Sequence, residues 1–259
     1  GVTRHTMDTT LGIDLGTQSL KVVFYDYKAR KVVASVSAPL EVIRDESGRA
    51  EQEASWWLAA LQQSLQQVSE DIRMSVRAVA VSGQQHGFVP IDDNGAVLHA
   101  VKLWCDTETQ QEADEIMEVC GGRERCIELV GNPILTGYTA PKIRWLRKHH
   151  PRKYRSMAKV LLPHDYINFI MTDRVIMEYG DASGTALLDV RNRRWSSELL
   201  RAVDPTRDLA NCMPELVEPG EVIGHTTSSF SQEFGLPAGV PVAPGGGDNM
   251  MAAIGTGNV

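Results

Sequence analysis

Three runs rich in β-branched and aromatic residues follow one another almost without pause: Leu11–Leu15, Leu20–Tyr27 and Lys31–Ser37, with short polar breaks at Gly16-Thr17 and Lys28-Ala29-Arg30. Breaks this short join neighbouring antiparallel strands, because a parallel crossover takes a dozen or more residues. The spacing therefore predicts a three-strand meander, with Asp14 and Thr17 at the tip of its first turn, where side chains and backbone N–H groups are free to face a ligand. Gly16 lets backbone approach that ligand closely. The Asp14 carboxylate suits Mg²⁺ beside a transferring phosphoryl group, and Thr17, Gln18 and Ser19 add hydroxyl and amide donors. Taken alone, the same residues fit an ordinary tight turn equally well.

A second acidic, glycine-containing segment stands at the far end of the sequence. The apolar run Val240–Ala243 reads as a strand entering Gly245-Gly246-Gly247, followed by Asp248-Asn249 and a helix over Asn249–Ile254. Glycines inside regular structure cost roughly 0.5–1 kcal/mol each relative to alanine, so three together call for an offsetting use. A glycine turn at a helix N-terminus aims backbone donors at an anion, with Asp248 projecting into the same space. A carboxylate there can accept the proton of a hydroxyl as a phosphoryl group transfers to it, and Asn249 can bind a neighbouring hydroxyl. The plainer alternative is a flexible turn.

Between these ends the pattern alternates. Trp57, Leu61, Leu65, Val68 and Ile72 fall on one helical face, and Val76–Val81 reads as a buried strand. Phe88–Ile91 and Val97–Trp104 predict a hairpin around Asp92-Asp93-Asn94-Gly95. Thr107–Leu129 reads as helix, and another helix begins at Thr139-Ala140-Pro141, with the threonine hydroxyl as its cap candidate, and ends near Pro151. Lys159–Leu162 is a strand and Asp165–Met171 a helix. The expected class is α/β.

The 259 residues, 42% of them hydrophobic, suffice for a sizeable core of one or two domains. A net charge of −7 gives no electrostatic attraction to nucleic acid or to an anionic membrane. The apolar stretches are short and interrupted by charge, so neither a spanning helix nor a secretory signal is read, and the expected compartment is the cytosol. Cys105, Cys120, Cys126 and Cys212 show no close CxxC pairing and read as reduced packing thiols. Gly1–Thr6, ahead of Met7, reads as a tag remnant, and residues 1–10 together as a disordered lead-in.

Two further clusters suit a polyol. Gln84-Gln85-His86-Gly87 follows the strand Val76–Val81 at its carboxyl end, a place from which glutamines and a histidine can hydrogen-bond hydroxyls. A lone histidine is more often structural, but the paired glutamines and flanking glycines balance that prior. Trp104 offers an indole face for the apolar side of a sugar, and Asp106 a carboxylate for its hydroxyls. Trp104 fits a core position at a strand end equally well.

These segments together resemble the FGGY family of carbohydrate kinases, within the sugar kinase, Hsp70 and actin superfamily, over about residues 11–259. The most specific stretch is Gly137-Tyr138-Thr139-Ala140-Pro141-Lys142-Ile143-Arg144-Trp145-Leu146-Arg147-Lys148-His149, which is similar to the family signature around a lysine and a tryptophan three residues on. Gly83-Gln84-Gln85-His86-Gly87, Leu161-Leu162-Pro163-His164-Asp165-Tyr166 and Asp181-Ala182-Ser183-Gly184-Thr185 look like the family's xylulokinase branch. Gln85 replaces the usual methionine, and Glu108 stands where many relatives carry arginine.

The resemblance implies a mixed five-stranded sheet of the ribonuclease H-like type, with flanking helices and helical insertions between about 105 and 235. It implies ATP and Mg²⁺, with Asp14, Gly16, Thr17, Gln18 and Ser19 on the phosphate and metal side. Gln85, His86, Trp104, Asp106 and Asn249 fall on the sugar side, and Asp248 is the base. The implied reaction forms D-xylulose 5-phosphate from D-xylulose, and the family allows a homodimer. It further implies that residues 11–259 are the sugar-binding half of a kinase whose C-terminal nucleotide-binding domain is absent from this chain, which alone would turn over little. A kinase for L-ribulose, gluconate, glycerol or another polyol, and a non-catalytic sugar-binding or actin-like assembly module, remain as alternatives.

Overall fold

The computed structural model describes residues 7–244. The meander forms as expected from β1 (Thr9–Leu15), β2 (Ser19–Asp26) and β3 (Lys31–Pro39), each antiparallel to the next. β1 begins ahead of Leu11 because Thr9 is buried, its N–H bonded to the Ser75 carbonyl and its hydroxyl 2.8 Å from that of Ser75. On its other side β1 pairs in parallel with β4 (Val76–Gly83). Two later strands complete the sheet: β5 (Gly224–His225) and β6 (Pro241–Pro244), β6 parallel to β4 and antiparallel to β5. The order is β5-β6-β4-β1-β2-β3. Among the described residues the sheet thus has six strands where five were expected, the extra one being the two-residue β5, too short for any periodicity to mark.

Helix α1 (Ala54–Gln66) packs on β2 and β3 through the face that its spacing indicated, burying Trp57, Leu61 and Leu65. The helix does not continue to Ile72. Ser69 starts a separate α2 (Glu70–Met74), its hydroxyl accepting from the Ile72 N–H at 3.4 Å, and Glu70 and Asp71 sit at the positive end of the new helix dipole. The sheet, α1, and the later helices α6 (Pro163–Thr172) and Ser228–Phe234 share one core that includes Leu11, Phe24, Trp57, Val81, Ile167 and Phe230.

A second core holds the helical insertion together. Its residues include Ile116 of α3 (Gln110–Val119), Val130 of α4 (Arg123–Val130) and Ile143 and Leu146 of α5 (Thr139–His149). The single helix expected over Thr107–Leu129 divides at Gly121-Gly122, whose φ of 94° and 111° only glycine adopts without strain. The Thr139 hydroxyl does not cap α5. Thr139 is the first helical residue, Tyr138 is the cap position, and the buried Thr139 Oγ1 has no hydrogen-bond partner among the described residues.

The expected hairpin forms: the Gly95 N–H bonds the Asp92 carbonyl at 3.0 Å, Ile91 bridges Val97, the Leu98 N–H bonds the Pro90 carbonyl at 2.9 Å, and Phe88 bridges Lys102, its N–H bonding the Lys102 carbonyl at 3.0 Å. Each arm takes its longer ladder from elsewhere. Val89–Ile91 pairs with Lys159–Leu161, and Val101–Lys102 pairs with Ala50–Gln52. Both alternative partners lie far off in sequence, where local patterning carries no information about them.

Candidate functional site

β1, β4 and β6 run parallel and are adjacent, with Leu15 in register with Gly83 and Pro244 with Val81. Their carboxyl ends therefore share one end of the sheet, the place where open α/β sheets bind ligands. Asp14, the β4 exit and the chain leading to Gly245 are delivered to that end by elements far apart in sequence. Strand alternation does the aiming, since Ile13 and Leu15 are buried and Asp14 between them is exposed.

The β1–β2 turn is tied down from below. The Gly16 N–H bonds the Ser19 carbonyl at 2.9 Å, and the Gln18 carbonyl accepts the Leu40 N–H at 2.8 Å. Gln52, fully buried, donates to the carbonyls of Thr17 (2.6 Å) and Glu41 (2.9 Å) and accepts from Trp57 Nε1 (2.9 Å) and Gln84 Nε2 (3.2 Å). All four hydrogen-bonding positions of its amide are met, so the network fixes the turn. Gln84 Nε2 also reaches the Gly16 carbonyl at 3.1 Å, so the turn and the β4 exit form one unit. Gln18 is exposed, and Thr17 and Ser19 are half-buried.

The β4 exit is unusual backbone. Gly83 has φ 132°, and a Cβ there would lie 2.1 Å from the Leu15 carbonyl oxygen. His86 has φ 67°, in the left-handed region where a non-glycine residue is strained. Gln85 is exposed. The half-buried His86 ring packs edge-on against Tyr138, with centroids 5.4 Å apart, and lies against Gly184, where a Cβ would come 1.9 Å from Cε1. Burial, helped by the nearby Lys142, holds this imidazole below its ordinary pKa, so it is neutral, and its buried Nδ1 has no hydrogen-bond partner among the described residues.

Trp104 is 51% exposed, with Nε1 donating to Thr17 Oγ1 at 3.1 Å. That bond sets the indole beside the β1–β2 turn and leaves it open to a ligand, which removes the core alternative. Asp106 requires a correction. It is fully buried, its Oδ2 accepting from the Ala50 N–H (3.0 Å) and Lys102 Nζ (3.0 Å) and its Oδ1 from the Glu108 N–H (2.9 Å). Its oxygens are engaged beneath the surface, so it braces the segment that carries Trp104 instead of meeting a hydroxyl.

Lys102 is the centre of that buried cluster, 3.0 Å from Glu51, 3.0 Å from Asp106 and 2.6 Å from Glu108, with its ammonium 3.9 Å from the centroid of the Trp145 ring. Burial raises the Glu51 carboxyl, but His99, Lys102 and Arg49 outweigh it and hold it at about 2. The three carboxylates have metal-like spacing, but the lysine already supplies their cation.

Asp248, Asn249, the triple glycine and the helix expected after it lie outside the described residues. Sequence reading passed over Gln52 and took Gln84 as a hydroxyl binder, because a buried amide acquires its meaning from partners that only folding brings near. Gln84 is buried, with its amide nitrogen on the Gly16 carbonyl and on Gln52. Lys142, His164 and Asp181 appeared in the sequence only as motif members. Lys142 Nζ donates to the carbonyls of His86 (3.0 Å) and Gly137 (2.8 Å), and His164 Nε2 lies 2.8 Å from Asp181 Oδ2.

A mixed sheet whose three parallel strands end together beside a Gly-Thr turn, with a helical insertion covered by its own core, defines a domain of the actin, Hsp70 and sugar kinase class. Residues 9–255 match the N-terminal domain of the FGGY family of carbohydrate kinases, and the chain belongs to that family. It is 40% identical over 256 residues to a xylulose kinase of Haemophilus influenzae, covering 96% of this chain and 52% of that protein. It is 36% identical over 250 residues to a xylulose kinase of Escherichia coli K12, covering 96% and 50%. Among solved structures, one described as a xyloylose kinase from Brucella ovis superposes with a TM-score of 0.81 at 31% identity, covering 91% of this chain and 48% of that one. A xylulose kinase from Rhodospirillum rubrum shares the fold, with a TM-score of 0.84 at 24% identity over 92% of this chain and 48% of that one. The chain spans about half the length of the curated relatives it matches. No helix among the described residues is long and apolar enough to cross a membrane.

Proposed function

We propose that this chain is the sugar-binding half of a two-domain kinase that transfers the γ-phosphoryl group of ATP to the C5 hydroxyl of D-xylulose. The observation that carries the reading is the shared carboxyl end of β1, β4 and β6, since one sheet end receives Asp14, the loop through His86 and the segment that leads to Asp248. The xylulose kinase names of the relatives support the choice of sugar.

In this reading Trp104 presents its exposed indole to the apolar face of the sugar, and Gln85, His86 and Asn249 bind its hydroxyls. A neutral His86 with an unpartnered ring nitrogen can accept or donate one such bond, according to its tautomer. Asp248 takes the proton of the C5 hydroxyl as that oxygen bonds to the γ-phosphorus and the bond to the ADP oxygen breaks. The backbone N–H groups of Thr17 and Gln18 and the hydroxyls of Thr17 and Ser19 face the phosphates, with Gly16 closing the turn beside them through its bond to the Ser19 carbonyl.

Asp14 fits Mg²⁺, a hard cation commonly held by one or two carboxylates together with water and substrate phosphates, because its carboxylate is exposed beside the phosphate turn. When bound, the ion neutralises charge developing on the phosphates. The C-terminal half of the kinase would supply the adenosine contacts and close over the site to exclude water, so the present chain alone should turn over little.

The test is an ADP-release assay of the full-length enzyme containing this chain, with D-xylulose and with L-ribulose, gluconate and glycerol as competitors for the role. D-xylulose should give the highest kcat/KM, and Asp248→Ala should lower kcat by a factor on the order of 10²–10⁴ while leaving the melting temperature in place. Undiminished turnover by Asp248→Ala would remove that residue as the base, and a preference for another polyol would replace the substrate.

A further inference from the structure

The loop Gly83–Gly87 is held by side chains that belong to other elements. Its Gln84 carbonyl oxygen lies 3.4 Å from Nδ1 of His164 on α6, and its His86 carbonyl oxygen accepts from Lys142 Nζ of α5 at 3.0 Å. Both donors are buried, His164 at 4% exposure and Lys142 at 1%. Their remaining partners bind neighbouring parts of the same opening. Lys142 also holds the carbonyl of Gly137, a residue packed so closely on the Trp104 segment that a Cβ would lie 3.1 Å from the Trp104 carbonyl oxygen. His164 Nε2 bonds Asp181 in α7 (Tyr179–Ser183), and Gly184 at the end of α7 is the surface on which the His86 ring rests.

Both His164 nitrogens face oxygen acceptors, a carbonyl and a carboxylate, so both carry hydrogen and the ring is an imidazolium balanced by Asp181 and Asp165. Burial opposes that charge, but the two carboxylates and the Gln84 carbonyl outweigh it and hold the imidazolium up to about 9. Lys142 bonds two carbonyls, and no carboxylate among the described residues forms an ion pair with it. Burial brings its ammonium down to about 7, and the neutral amine still has the two N–H groups that the carbonyls require.

A non-glycine residue in the left-handed region relaxes unless its surroundings over-determine it. His86 is such a residue, and the donors grip the peptide carbonyl on its C-terminal side and the carbonyl two residues before it. We propose that Lys142 and His164 are positioning residues for the sugar: two buried donors on separate helices that hold the Gln84 and His86 carbonyls, and with them the strained His86 backbone, without touching the sugar themselves. This rests on the reading above that His86 faces the sugar.

Side-chain geometry supplies the test. An asparagine amide nitrogen falls near the place of His164 Nδ1, and a glutamine amide nitrogen near that of Nε2. In the full-length enzyme, His164→Gln, which abandons the Gln84 carbonyl, and Lys142→Met should each raise KM for D-xylulose tenfold or more, with KM for ATP within twofold. His164→Asn should restore most of the sugar affinity. Gly184→Ala, whose methyl would displace the His86 ring, serves as the reference. If Gly184→Ala raises KM for D-xylulose while Lys142→Met and His164→Gln leave it within twofold, the positioning role is refuted and the sugar-site reading stands. If Gly184→Ala leaves it unchanged, His86 does not face the sugar and both fall. Failure of Lys142→Met and His164→Gln to fold, or an equal rise in KM for ATP, also overturns the positioning role, because the donors would then serve the core and not the loop.

Discussion

Gly83→Ala probes the point where strand pairing becomes binding loop. The added Cβ would stand 2.1, 2.6 and 2.7 Å from the carbonyl oxygen, carbonyl carbon and nitrogen of Leu15, all backbone atoms of a central strand. None can turn aside as a flexible side chain would, so relief requires β1 and β4 to part where Leu15 and Gly83 are in register. The φ of 132° adds about 1–3 kcal/mol for a residue with a side chain. Parting also removes the 2.7 Å bond from the Gln84 N–H to the Leu15 carbonyl, and an unmet buried carbonyl costs about 1–3 kcal/mol. Together the loss should be about 2–6 kcal/mol, a fall in melting temperature of roughly 4–24 °C for a chain of this size. Urea unfolding followed by circular dichroism, with the slope checked for constancy, measures it. A loss under about 1 kcal/mol at unchanged slope would refute the reasoning, since the strand end would then accommodate a methyl without strain.

Other expectations follow from the same contacts. Lys102→Met should destabilise the chain by about 3–5 kcal/mol at neutral pH, because it strands the buried carboxylates of Glu51 and Asp106; the loss should shrink on acidification, as the stranded acids bind protons more readily when folded. In the unaltered protein Glu51 has the opposite sign: its carboxyl is depressed from 4.5 to about 2, so its contribution of about 3 kcal/mol is complete above the unfolded value and fades as pH falls toward 2, visible as a melting temperature that drops with acid and drops less in Glu51→Gln. Trp57→Ala should cost about 3–5 kcal/mol by calorimetry, through the cavity in the main core and the loss of the Gln52 bond. Trp104→Ala removes only an exposed ring, so its melting temperature should change little while D-xylulose no longer raises it; a retained sugar response would take the indole out of the site.

Much of this was legible in local chemistry. Short polar breaks between β-branched runs admit only a meander, and alternation along β1 places Asp14 outward with Ile13 and Leu15 inward. Two steps of four, from Trp57 to Leu61 and Leu65, set the buried face of α1. Signals were also readable where they conflicted, since Ser69 with two acids behind it and the pair Gly121-Gly122 each outweighed a helical period that ran through them. Motif likeness reached the family and the lysine of α5, though not what that lysine holds.

What required the tertiary structure was every relation between distant segments. That β4 lies between β1 and β6, all three ending on one side, is a matter of pairing partners, and pairing is not written in the strands themselves. The same holds for the outer ladder partners of the two arms around Asp92–Gly95, which come from residues near 50 and 160. Asp106 shows the limit most clearly: its sequence neighbourhood suggested a hydroxyl acceptor, but the distant Ala50 N–H joins the nearby Lys102 and the Glu108 N–H in engaging its buried carboxylate. A carboxylate's task depends on which donors stand within about 3 Å of it and how deeply it lies, and for Asp106 the depth and the Ala50 donor come from segments that only folding brings together.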